Sequence, residues 1–167
     1  VLLGDPDQPV ALHLLGLIAH QAGKNEIAVN LITKAVRFKP KYAAAYNNLG
    51  VALKELGRVE EAVACYHKAF DLKTDYAEPH NNLGITLQEL GKLDEAVGCF
   101  RKALAIKPDY VTAHNNLGVA LKDLGKLEEA VSSYRRALEL DPEYAAGHSN
   151  LGTVLGELNY LSDAVKQ

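Results

Sequence analysis

Apolar and small residues recur along this chain with a period of 34 residues, too long for a strand or a single helix. Counting each unit from Pro9, Ala43, Ala77, Val111 and Ala145, position 7 is Leu15, Leu49, Leu83, Leu117 and Leu151. Position 8 is Gly16, Gly50, Gly84, Gly118 and Gly152. Position 20 is Ala28, Ala62, Ala96, Ala130 and Ala164, and position 27 is Ala35, Ala69, Ala103 and Ala137. Within a unit, apolar or aromatic residues at positions 4, 7 and 11 have the spacing of an amphipathic helix, which predicts a first helix over about positions 2 to 14. Gly23, Gly57, Gly91 and Gly125 at position 15 predict its C-terminal stop. A second helix is predicted to begin with acids (Glu60 and Glu61, Asp94 and Glu95, Glu128 and Glu129) and to end with bases (Arg101 and Lys102, Arg135 and Arg136). That order would complement the helix dipole at both ends. Pro40, Pro108 and Pro142 at position 32, with Thr74 substituting once, break the helix before the next unit.

A two-helix unit of this kind cannot bury its apolar face alone and must stack on neighbours. The expected fold is therefore all-α, a solenoid of stacked antiparallel helix pairs. Pro6 stands 34 residues before Pro40, so residues 1–8 read as the tail of a preceding unit. Units then span 9–42, 43–76, 77–110 and 111–144. Residues 145–167 form a partial fifth, with one helix and a second that begins near Tyr160 and is cut short.

Asparagine, a mediocre helix former, recurs in pairs at positions 5 and 6. The pairs are Asn47 and Asn48, Asn81 and Asn82, Asn115 and Asn116, with Asn150 continuing position 6. At about 100° per residue, with position 9 opposite the core at about 180°, positions 5 and 6 fall near 140° and 240°. They flank the face turned away from the core, as two rows of amides. An amide offers donors and an acceptor, so such rows suit the backbone of an extended peptide. The bland alternative is that position 6 bonds to the adjacent helix. The first unit has His13 and Leu14 instead, so the rows are expected to begin only in the second.

The Leu-Gly at positions 7 and 8, the alanines at 20 and 27, the aromatics Tyr66, Phe100 and Tyr134 at 24, and the proline at 32 resemble the tetratricopeptide repeat. That resemblance implies a right-handed superhelix whose first helices line a concave groove, with the asparagines along it. The asparagine rows are also similar to those in the repeat arm of O-linked N-acetylglucosamine transferases. The opening "ALHLLGLIAHQAGKNEIAVNLITKAV" is similar to the first repeats of bacterial proteins that join such an arm to a glycosyltransferase domain. Repeats that clamp a C-terminal carboxylate carry Lys or Arg at positions 2, 5 and 6 and Asn at 6 and 9. Here position 2 is Ala44, Glu78, Thr112 and Ala146, and position 9 is Leu17, Val51, Ile85, Val119 and Thr153, so that clamp is missing. The implied function is a non-catalytic interaction scaffold that holds an extended peptide or partner helix in its groove. One alternative is the substrate-recognition arm of a larger protein glycosyltransferase. Another is a homo-oligomer built by end-to-end stacking through Leu158, Leu161 and Val165.

Composition narrows the remaining classes. A net charge of −3 provides no electrostatic footprint for nucleic acid. No stretch approaches the roughly 18 to 20 apolar residues of a membrane span, and "VLLGDPDQ" has no signal-peptide character. Cys65 and Cys99 occupy one position of successive units, about 10 Å apart by helix-packing distances. That is beyond the about 7 Å a disulfide allows, so both are expected as free thiols in a reducing, cytoplasmic setting. His80, His114 and His148 recur at position 4, too far apart to share a metal, and are expected to be packed and partly buried. No cofactor is expected, nor a catalytic triad or phosphate loop. Tyr42, Tyr76, Tyr110 and Tyr144 at position 34 are expected to pack between units.

Overall fold

The structure, a computed structural model, describes residues 8–165, with side chains as far as Asn159. The described residues form helices and no strand: α1 (Pro9–Gln21), α2 (Asn25–Phe38), α3 (Ala43–Glu55), α4 (Val59–Leu72), α5 (Ala77–Glu89), α6 (Leu93–Ile106), α7 (Val111–Asp123), α8 (Leu127–Leu140) and α9 (Ala145–Val165). The chain divides into two compact units, with the boundary inside α5 between Asn82 and Leu83. In the first unit α1 packs on α2, α2 on α3, α3 on α4, and α1 also on α3. In the second, α6 packs on α7, α7 on α8, α8 on α9, and α7 also on α9. This is the architecture of an all-α solenoid.

Two glycine positions enforce the helix pairs. Gly23, Gly57, Gly91 and Gly125 have φ between 72° and 74°, the left-handed conformation that Gly adopts without strain. The next amide turns back on the helix, as in Lys24 N–H to Ala19 O at 2.9 Å and Arg58 N–H to Leu53 O at 3.0 Å. These are Schellman closures. Position 8 is where the helices of a pair cross. A Cβ on Gly50 would lie 2.5 Å from Tyr66 Cε1, and one on Gly118 would lie 2.5 Å from Tyr134 Cε1. The alanines at positions 20 and 27 are fully buried from Ala28 to Ala137, whereas Ala164 lies outside the described side chains.

Three expectations need correcting. First, α9 runs unbroken through the place where a turn and a second helix were expected near Tyr160. The reason is local: Asn159 stands where the other units have Gly, and nothing there forces a left-handed residue. The side chains of Leu161 and Val165, on which end-to-end stacking partly rested, lie outside the described residues. Second, α4, α6 and α8 have acids in the first turn but no base in the last. Arg101 instead meets Glu129 at 3.0 Å and Arg136 meets Glu139 at 2.8 Å, exposed pairs of little net value. Third, burial on the first helices extends to positions 3 and 10, as at Ala45, Ala113, Ala52 and Ala120. α3 is covered by α1, α2 and α4, and α7 by α6, α8 and α9, so the open strip there narrows to positions 2, 6, 9 and 13. α4 ends at Leu72 although Thr74 replaces the proline, so that proline is dispensable there.

Candidate functional site: an asparagine seam

Within each unit first helices lie side by side, α1 on α3 and α7 on α9, and asparagines of positions 5 and 6 meet between repeats. Asn82 Nδ2 donates to Asn47 Oδ1 at 2.9 Å, and Asn150 Nδ2 donates to Asn115 Oδ1 at 2.9 Å. Position 6 of one repeat thus reaches back to position 5 of the one before. Asn47, Asn81 and Asn115 are buried, at 4–7% exposure. Asn48, Asn82, Asn116 and Asn150 remain half-buried at the surface. Both rows were expected to line the groove from the flanks of the open face; position 5 is instead buried, and position 6 alone stays at the surface.

The first unit extends the seam further than the sequence suggested. Asn47 Nδ2 donates to Asn48 Oδ1 at 3.2 Å, and Asn48 Nδ2 donates to His13 Nε2 at 2.8 Å. His13 Nδ1 lies 2.9 Å from the Tyr42 hydroxyl. Because Nε2 must accept, the neutral ring carries its proton on Nδ1 and donates it to Tyr42. His13, only 4% exposed, therefore takes the position-5 role in the first repeat. Sequence reasoning treated it as the end of the rows. The missed signal was that imidazole Nε2 can replace an amide oxygen as acceptor, with Tyr42 placed to fix the tautomer. Burial holds the His13 pKa below its ordinary value.

The histidines at position 4 have differing partners. His114 Nε2 donates to Pro108 O at 2.9 Å and His148 Nε2 to Pro142 O at 2.7 Å, while His80 stacks on Phe70 at 4.4 Å. His148 is exposed rather than partly buried. Among the described residues no group of three or more His, Cys, Asp or Glu is placed to hold a metal. Tyr42, Tyr76, Tyr110 and Tyr144 are half-buried, and Lys39, Lys73 and Lys107 lie over the first three rings at 4.6, 5.3 and 5.0 Å. Cys65 and Cys99 are free thiols. Burial pushes Cys65 up to about 11 and Cys99 in the same direction, which leaves little reactive thiolate at neutral pH. No described helix is long and apolar enough to cross a membrane.

Helix pairs stacked through glycine crossings, with an ordered face of amides, define a helical-repeat interaction scaffold. The tetratricopeptide repeat family model matches residues 41–109 and 75–143, and a related TPR repeat model matches 16–57. The chain belongs to the tetratricopeptide repeat family. No curated protein matches the sequence. Among solved structures it is similar to the MamA protein, at 30% identity over 87% of this chain and 79% of that one, with a TM-score of 0.73. It is also similar to the first TPR of Spaghetti (RPAP3) bound to the HSP90 peptide SRMEEVD. That match has 28% identity, covers 70% of this chain and 93% of that one, and has a TM-score of 0.68. Pseudomonas aeruginosa pilF shares the fold at a TM-score of 0.84, with 24% identity over 95% of this chain and 72% of that one.

Proposed function

We propose that the open face of the first helices docks an extended peptide or a partner helix, and that the chain acts by holding it rather than by chemistry of its own. Asn48, Asn82, Asn116 and Asn150 are the contacting amides. Asn47, Asn81 and Asn115, with His13 in the first repeat, are the supports that aim them. The observation that carries this reading is the half-used capacity of Asn48 and Asn150. An amide has two N–H groups and an oxygen with two lone pairs. Asn150 gives one N–H to Asn115, and Asn48 gives one N–H to His13 and accepts one bond from Asn47. Each is held in a fixed orientation at the half-buried surface, with donor and acceptor capacity beyond these bonds. The peptide seen on the similar RPAP3 repeat supports the same use of the fold. The acidic tail of that peptide is not the expected ligand here, because positions 2 and 9 lack the cations and amides of a carboxylate clamp.

The test replaces Asn48, Asn82, Asn116 and Asn150 by Ala and compares the variant with the parent on an array of varied peptides. Loss of a defined subset of bound peptides, with the helical circular dichroism retained, is the expected result. Equal capture by a folded variant would remove the groove from the argument.

A further inference from the structure

Exposed apolar side chains concentrate in the first repeat. Among the described residues, Val10, Leu14, Ile18, Ile27 and Phe38 stand exposed there, against Leu90 and Leu155 elsewhere. Val10, Leu14 and Ile18 are spaced by four and form one stripe on α1; Ile27 and Phe38 share a face of α2 with the half-buried Leu31. Later repeats show where these stripes point. Position 10 is Ala120 in α7 and Val154 in α9, both at 0% exposure, whereas Ile18 is 60% exposed. α9 packs on α7 and α8, so the cover over Val154 comes from the preceding repeat. Position 19 agrees: Glu129 meets Arg101 of the preceding repeat at 3.0 Å, and Ile27 holds that position in the first. Both stripes therefore lie on the side by which later repeats stack on the one before.

The helix α9 carries the opposite deficit. In α3 and α7 the crossing glycine meets a tyrosine of the second helix, and the leucine three residues on, Leu53 or Leu121, is 3% or 1% exposed. On α9 nothing lies within 4 Å of a Cβ at Gly152 or Gly156, and Leu155 is 36% exposed. This side is a seat for a helix, with room for bulky side chains at the glycines. Charge also differs between the two ends of the chain. Residues 9–42 hold five bases against one acid, Glu26, and residues 138–167 hold five acids against one base, Lys166. Pairing of two first repeats would set base against base. A first repeat on α9 sets apolar on apolar and base against acid.

We infer that the chain self-associates head to tail, the first repeat of one copy seating on α9 of the next. Leu14, Ile18 and Ile27 pack against Leu151, Gly152 and Leu155. This goes beyond the groove reading, whose contacting asparagines begin in the second repeat. A heterologous contact leaves one face free at each end, so association runs past two chains.

The experiment is analytical ultracentrifugation of the full chain over about 1–300 µM, the weak end of protein interfaces. A series of species that grows with concentration and shrinks with salt is expected. Leu14→Asn/Ile18→Ala/Ile27→Glu gives the first repeat the residues that the second has at those positions, and Leu155→Lys alters an exposed site on α9. Each variant should keep its helical circular dichroism and associate at least about tenfold more weakly. An equimolar mixture of the two retains one good face of each kind and should form a dimer that grows no further. A parent that stays monomeric throughout, or a mixture that does not pair, would overturn the inference. Association lost in the first-repeat variant but kept in Leu155→Lys would mean that first repeats pair with each other. A monomeric parent that floats with phosphatidylserine/phosphatidylcholine vesicles, and ceases to in the first-repeat variant, would give the face to a lipid surface instead.

Discussion

Position 24 shows how finely one side chain can be weighed when the chain repeats its own experiment. Tyr134 and Phe100 occupy the same site in successive repeats, both fully buried, yet the Tyr134 hydroxyl has no hydrogen-bond partner. Burial, with Asp123 and Glu157, pushes its ionisation up to about 12, so it stays a neutral, unsatisfied phenol. An orphaned buried hydroxyl costs about 1–3 kcal/mol, and Phe100 proves that the pocket accepts the ring without it. Tyr134→Phe is expected to stabilise the protein by about 1 kcal/mol, read from urea midpoints at constant m-value. His13 gives a second residue-scale outcome. Its folded pKa is lowered, so between that value and the ordinary 6.5 the unfolded chain binds more protons. The stability it contributes is complete above about 6.5 and is lost as pH falls through the lowered value. His13→Asn, which keeps an acceptor at position 5 without a titrating ring, should lose less stability than the parent between pH 7 and pH 5 in parallel urea titrations.

At the scale of the element, the turn glycines and the crossing glycines look alike in sequence and differ in what they guard. Gly125 needs its left-handed backbone and has open space around it; Gly118 needs the absence of a side chain against Tyr134. Gly152 repeats the Leu-Gly signature but meets nothing within 4 Å among the described residues, because α9 continues instead of folding back. Two variants with one chemistry should therefore change stability in opposite directions. Gly118→Ala should cost about 1–3 kcal/mol through overpacking, while Gly152→Ala should gain about 0.5–1 kcal/mol through helix propensity. Thermal and urea unfolding of both variants checks the pair. The helix starts and stops were readable because Gly and Pro act locally. The burial of Asn47 and Asn115 was not, because a helical wheel gives each helix one covered side, and a stacked helix has several. Position 5, near 140° on that wheel, was close to the open face by angle and inside the seam by packing. The break in the pattern at Asn159 was visible, but its effect on α9 depended on a Gly that was absent, a weaker signal than one that is present.

At the scale of the whole molecule, energy in a stacked array is a sum of local terms and nearest-neighbour interfaces. Damage should stay where it is placed. In Gly118→Ala, amide hydrogen exchange is expected to quicken in α7 and α8 well before α1 and α2 respond; uniform acceleration across the chain would mean a single cooperative unit. The seam of the first unit adds a property that no single repeat has. From Asn82 to Asn47, Asn48, His13 and Tyr42, every bond is given in the same sense along the chain. Turning one amide over would set donor against donor at its neighbour, so all of them turn or none does. The row is in effect a one-way street, with His13 fixing the direction of travel. A peptide backbone also has a direction, and on the proposed groove only one of its two orientations is expected to match the row. A bound sequence and its reversed counterpart should not be equivalent to this protein, even with identical composition and charge.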